Sequence, residues 1–153
     1  MTVRSELGEM MSLICFKAAL VGVEDTLGED GAAVVFIRAG KVRGAFVAQQ
    51  VGLAGSKPSL ETLVKSLDSV FGATGTKLCR VVGAYAHGEQ IIIDTRETVC
   101  SANELAGSTR KCTYTLGAVW GALESVMATT YLGAHTDSVL QGATVDRFVF
   151  SPM

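Results

Sequence analysis

A chain of 153 residues and 16.0 kDa is most simply one domain with a real core. Apolar residues make up 48 % and charged residues 18 %, which favours a well-buried core plus an extra apolar surface, either a pocket or a partner interface. A formal net charge of −2 excludes bulk electrostatic attraction to nucleic acid.

The N-terminal stretch from Ser5 to Leu27 places Leu7, Met10, Met11, Ile14, Ala18 and Val21 at three- and four-residue spacings. That is one face of an amphipathic helix, expected to end near Gly28. Its Met-rich stripe suits core packing or an adaptable apolar pocket, and Met10 and Ile14 are taken as pocket candidates. Lys17 interrupts the apolar run and Glu6 and Glu9 precede it, so it does not read as a signal peptide. No segment reaches the roughly 18 uncharged apolar residues of a membrane span, and a cytoplasmic protein is expected.

AAVVFIRAGKVRGAFVAQQ, 32 to 50, fits a strand at its β-branched start or a helix after Gly40. GLAGSKPS is a turn-rich linker. Ser59 then caps a helix through Phe71 with Leu60, Leu63, Val64 and Leu67 inward. KLCRVVGAYAHGEQIIIDTRETVC reads as two strands around His87, Gly88 and Glu89, and AHTDSVLQGATVDRFVF as a closing hairpin with Gly142 at its centre. The order predicts an α+β fold: N-terminal helices packed on a twisted antiparallel sheet, with a long central helix near residues 112–131.

That helix, CTYTLGAVWGALESVMATTYLG, has almost no face for water. At 100° per residue, Leu116, Trp120, Leu123 and Met127 share a narrow arc, while Tyr114, Gly117, Ala118, Gly121, Ala122 and Ser125 lie opposite, with Glu124 at the border. Each mid-helix glycine costs up to about 1 kcal/mol of helix propensity, which close packing usually offsets. Tyr114, Gly117 and Gly121 therefore mark a close-packing face for a second helix, a partner subunit or a planar ligand. Leu116, Trp120, Leu123 and Met127 form the bulky side, turned to the sheet or an apolar cavity.

Catalytic constellations are scarce. His87 and His135 stand alone in the sequence, where surface or capping roles are the usual ones. GLAGSKPS lacks phosphate-loop spacing, and GATGTK lacks a dinucleotide fingerprint. Cys15, Cys79, Cys100 and Cys112 form no CxxC pair, so reduced thiols are expected rather than disulfides or a metal site. An enzyme is disfavoured.

LGEDGAAVVFIRAGKVRG, CTYTLGAVWGALE and DSVLQGATVDRFVF together span nearly the whole chain, and CxYTxGxxxG followed by acid–x₄–G–x₅–F is their combined pattern. In these residues the chain resembles the 4-vinyl reductase domain family of hydrocarbon-binding proteins, whose fold is shared with the small palmitate-binding subunits of the TRAPP tethering complex. The resemblance implies a single hydrocarbon-binding-like domain over 1–153, an apolar cavity between helices and sheet, and pairing of two copies through helices. Family members often carry cysteines flanking the hairpin glycine; the matching positions here are Val139 and Asp146, so no metal site is expected. The implied function is non-enzymatic binding of a fatty acid or tetrapyrrole, as carrier, sensor or assembly factor. A homodimeric assembly module with protein partners is the alternative, and vinyl reductase activity ranks third.

Overall fold

A computed structural model of the protein describes residues 4–153. The backbone follows the predicted order: α1 (Leu13–Gln50), α2 (Leu60–Phe71), β1 (Arg80–His87), β2 (Gln90–Arg96), α3 (Thr113–Met127), β3 (Tyr131–Asp137), a 3₁₀ turn (Val139–Gln141) and β4 (Asp146–Pro152). Among the described residues, three helices accompany a four-stranded antiparallel sheet, so the α+β class holds. The chain forms two compact units, which divide between Ala32 and Ala33.

In the first unit, helix begins at Leu13, later than the apolar stripe suggests, and Leu7, Met10 and Met11 precede it. Gly28 leaves the helical region at φ 75°, a conformation open to glycine but strained for other residues, so the expected stop there is a local break. Helix then resumes, and 32–38 is helical in spite of its β-branched residues.

The second unit holds the remainder of α1, with α2, α3 and the four strands β1 to β4. Ser59 caps α2 by accepting from the Thr62 amide at 3.3 Å, and Gly72 closes it by donating to the Asp68 carbonyl at 2.7 Å. The Asp68 carboxylate accepts from Arg80 Nε and Nη2, each at 2.9 Å, and from the Val81 amide at 2.9 Å, joining α2 to the start of β1. The strands lie in the order β1-β2-β4-β3, so the closing hairpin strand β4 sits inside the sheet against β2. Asp94 and Arg147 face each other across that β2–β4 pair and bond bidentately at 2.7 and 2.8 Å. Inward-pointing Val81, Ile93, Phe148 and Phe150 meet Leu63, Leu67, Val70 and Phe71 of α2 and Val119, Leu123 and Val126 of α3. Alternation along β4 places Phe148 and Phe150, both fully buried, on one face.

The flat face of α3 is taken by a helix. A Cβ built on Gly117 would lie 2.9 Å from the Ile37 Cα, and one on Gly121 would lie 2.7 Å from the Lys41 carbonyl carbon. The relation is reciprocal: Cβ atoms on Gly40 and Gly44 would stand 2.7 Å from backbone atoms of Ala118. Glycines four apart on each helix therefore let the later part of α1 meet α3 backbone to backbone. This contact overrides the strand propensity of Val34 and Val35, because helical spacing is what brings Gly40 and Gly44 to one face. The long helix ends at Met127 rather than 131, where Ala128 turns left-handed at φ 50° and releases the chain into β3.

Replacing Gly121 with Leu forces side-chain atoms into the Lys41 backbone, with no flexible neighbour to yield. We expect a loss of at least about 2–3 kcal/mol of stability in urea unfolding followed by circular dichroism. An unchanged midpoint and slope would show that the two helices are not held this closely.

Candidate functional site

Helix α3 carries two polar constellations. The first surrounds Trp120. Its Nε1 donates to Glu124 Oε1 at 2.9 Å and to the Tyr131 carbonyl at 3.1 Å. Glu124 Oε1 also accepts the Tyr131 amide at 3.0 Å, and its Oε2 pairs with Lys41 Nζ at 2.9 Å. The same ammonium lies 4.1 Å from the centroid of the indole ring, a cation–π distance. Phe150 meets the indole edge-on at 6.3 Å, and Gly133 leaves the space beneath it, since a Cβ there would stand 2.8 Å from the ring.

Among the residues predicted as apolar contacts, Leu116 and Leu123 are buried in the core of the second unit, and Trp120 and Met127 are half-buried against it. Met10 and Ile14 belong to the first unit and are exposed. Gly117 and Gly121 form the α1 contact, and the Tyr114 carbonyl lies against the position of Gly40. Burial pushes the Tyr114 phenol above its usual range, partly offset by Arg43.

The second constellation lies at the other end of α3 and was not legible in the spacing. Cys112, the residue before the helix, is disulfide-bonded to Cys100, with Cα atoms 5.2 Å apart. The expectation of four reduced thiols is therefore corrected. The polar connection after β2 folds back on the start of α3, and sequence distance alone does not reveal that return. Cys15 is exposed; Cys79 is buried, and burial pushes its thiol up to about 12, which leaves it unreactive at neutral pH.

Cys112, His135 and Asp146 bring one ligand atom each to within 4.8 Å of one another. They arrive from the α3 start, from β3 and from the first residue of β4, whose side chains point inward by strand alternation. His135 Nε2 is 3.3 Å from Asp146 Oδ1, yet this buried nitrogen has no well-aligned hydrogen bond. Asp146 is fully buried; its Oδ2 accepts from Thr98 Oγ1 at 2.9 Å and its Oδ1 from the Val139 amide at 3.1 Å. Burial alone would raise its pKa, but contacts from His135, Thr98 and Val139 outweigh that and hold the carboxyl below its usual range. Thr98 Oγ1 also lies 3.2 Å from the Cys100 sulfur and 3.5 Å from that of Cys112. An open cleft of about 430 Å³ adjoins the cluster, lined by Arg110, Lys111, His135, Ser138 and Gln141 among others. In the sequence Asp146 marks only a lost cysteine position, and His135 stands alone. The signal that would have joined them is the strand alternation that puts both on the inner face.

The sequence matches no family model and no curated protein. In fold it is similar to solved structures across nearly its whole length. The phenol-responsive sensory domain of the transcription activator PoxR, solved with phenol, superposes with a TM-score of 0.71 at 17 % identity, covering 94 % of this chain and 76 % of that one. A vinyl-4-reductase family protein from Methanocaldococcus jannaschii gives 0.56 at 12 % identity, covering 97 % and 85 %. Subunit 3 of the trafficking protein particle complex from Naegleria fowleri, covalently bound to palmitic acid, gives 0.53 at 10 % identity, covering 93 % and 97 %. The likeness establishes the fold that the sequence resemblance implied. No helix among the described residues is long and apolar enough to cross a membrane.

Because the folded pKa of Asp146 is depressed, its contribution to stability is complete above the unfolded value near 4 and is lost as pH falls through the lower folded value. Asp68, lowered by Arg80, shares this window. In the metal-free, disulfide-bonded chain, Asp146→Asn should be less stable than wild type at about pH 7, and the gap should narrow towards about pH 3. Urea midpoints across that range measure it, and a gap independent of pH would refute the ionised, bonded carboxylate.

Proposed function

We propose that this chain is a non-catalytic binding domain for a hydrophobic small molecule, serving as carrier, sensor or assembly factor. The observation that carries the reading is the whole-length likeness to the phenol-responsive domain of PoxR. The trafficking subunit of similar fold holds a palmitic acid, so the ligands of both relatives are apolar or nearly so. The candidate ligand classes are an acyl chain, a tetrapyrrole or a small aromatic. Affinity would come from apolar burial at roughly 25 cal/mol per Å². Leu116, Trp120, Leu123 and Met127 are the proposed contacts, with half-buried Trp120 and Met127 the most accessible of the four. Lys41 and Glu124 beside the indole supply the polar groups that would orient a ligand with a polar end.

Trp120 is the chain's one tryptophan, so its emission reports on the site directly. Ligand-stripped, folded protein titrated with a porphyrin should lose emission by energy transfer, and palmitate should shift it by changing local polarity. Trp120→Phe, which removes the reporter and is therefore followed by native mass spectrometry of the loaded protein, should weaken either binding while keeping the fold. If neither probe alters the emission and native mass spectrometry of protein from its own host finds no bound small molecule, the binding reading fails.

A second reading, an assembly module working as a homodimer, is favoured by one face of α1. Val34, Val35, Val42 and Phe46 are exposed by 71, 44, 67 and 47 % and fall in one arc of the helix, away from Gly40 and Gly44. Sedimentation at micromolar concentration should give a species of twice the chain mass, and Val42→Glu should halve it. A monomer alone in the wild type would remove this reading.

A further inference from the structure

We propose that the Lys41–Glu124 pair is the head-group site for a neutral, hydroxyl-bearing aliphatic ligand. The chain then selects a long-chain alcohol over the fatty acid or the amine of the same length. This inference rests on the binding reading above and names the polar end which that site takes.

Each member of the pair has a hydrogen-bonding place left over. Glu124 Oε1 accepts twice, from Trp120 Nε1 at 2.9 Å and from the Tyr131 amide at 3.0 Å. Oε2 accepts from Lys41 Nζ at 2.9 Å. A carboxylate oxygen takes about two donors, so one place on Oε2 remains. An ammonium carries three N–H donors. Among the described residues, that of Lys41 pairs with Glu124 and rests its charge over the indole at 4.1 Å. A donor on Nζ is therefore left beside an acceptor place on Oε2. The Lys41 and Glu124 side chains are 31 and 21 % exposed, so a ligand reaches both atoms without opening the core.

A hydroxyl matches a donor and an acceptor standing side by side. It accepts from Nζ, donates to Oε2 and leaves the pair electrically balanced. A ligand carboxylate accepts from Nζ but has no proton for Oε2. Two carboxylates then share one ammonium, and the ligand has given up the hydration of a full charge. A ligand ammonium meets the opposite difficulty, since it donates to Oε2 while standing against Lys41. Neither partner is placed to turn away. Glu124 Oε1 is held by the indole nitrogen and by β3, and the Lys41 backbone lies in the glycine seam against Gly121.

The same surroundings restrict the body of the ligand. Lys41 stands over one face of the indole, and a Cβ on Gly133 would lie 2.8 Å from the ring. A planar macrocycle would have to displace one of them to stack. A flexible chain can instead follow α3 from Trp120 to half-buried Met127, about 10 Å along the axis. The unbranched thioether of Met127 adapts to such a chain.

The test titrates the full, ligand-stripped chain at about pH 7 with 1-decanol, decanoate and decylamine, each below its micelle concentration. The three share a tail and differ in the charge of the head. Trp120 emission gives the affinities and calorimetry checks them. The alcohol should bind at least about 10-fold more tightly than either charged congener. Glu124→Gln keeps a carbonyl oxygen for Trp120 and Tyr131 but leaves Lys41 unbalanced, so decanoate should move to first place. Lys41→Met keeps the aliphatic stem but leaves Glu124 unbalanced, and decylamine should lead. Circular dichroism establishes that each variant is folded. A charged congener that binds wild type as tightly as the alcohol overturns the proposal and leaves the binding reading standing. An unchanged order in the folded variants also overturns it, because a pair that only positions Trp120 would not set head-group preference. If none of the three binds, the binding reading fails and this inference fails with it.

Discussion

The second unit depends on one contact, the glycine seam between the later part of α1 and α3. Gly40 and Gly44 on one helix and Gly117 and Gly121 on the other remove the side chains that would hold the backbones apart. Each of these glycines costs helix propensity, up to about 1 kcal/mol, so the interface must return more than it costs in dispersion and excluded water. The approach sets the rotation of α3. With its flat face against α1, the residues opposite, Val119, Leu123 and Val126, turn to the sheet and to α2. A helix with no water face is the consequence of two neighbours, one met through small residues and the other through large ones.

Glu124 stands where these two faces meet, and it is the one carboxylate of the helix. Its two oxygens gather a lysine from α1, the indole nitrogen of its own helix and a backbone amide of β3. A partly buried carboxylate with three donors is well compensated, and it joins three elements at one point. Trp120 is therefore oriented by polar contacts at one edge and by Phe150 at another, with its position set more by the knot than by the hydrophobic arc alone.

The two ends of α3 do different work. From Cys112 to Trp120 the axis rises about 12 Å, so the sulfur, imidazole and carboxylate cluster is separate from the indole region. The helix links them as a rigid element, and the residue that caps its start is covalently tied to the connection that follows β2. Similar overall folds at 10–17 % identity show that the fold tolerates wide change of residue type. A fold can be built from many sequences, while a ligand or ion site requires named side chains.

The sequence by itself determined the α+β class, the two hairpins, the Ser59 cap and the two-faced character of 113–127. Each rests on a local signal, a period of two or 3.6 or a turn residue, that near neighbours in the chain carry. The later part of α1 was ambiguous because Ala33 to Ile37 suit a strand locally, and only the seam with α3, some 80 residues on, made the helix the better choice. The disulfide and the cluster of Cys112, His135 and Asp146 were likewise outside the reach of spacing. Their ligand atoms come from an α3 cap and two strands, and only chain return through the order β1-β2-β4-β3 brings them within 4.8 Å. Tertiary structure decided those features because they depend on which distant residues share a side of the sheet, a quantity that no window of sequence contains.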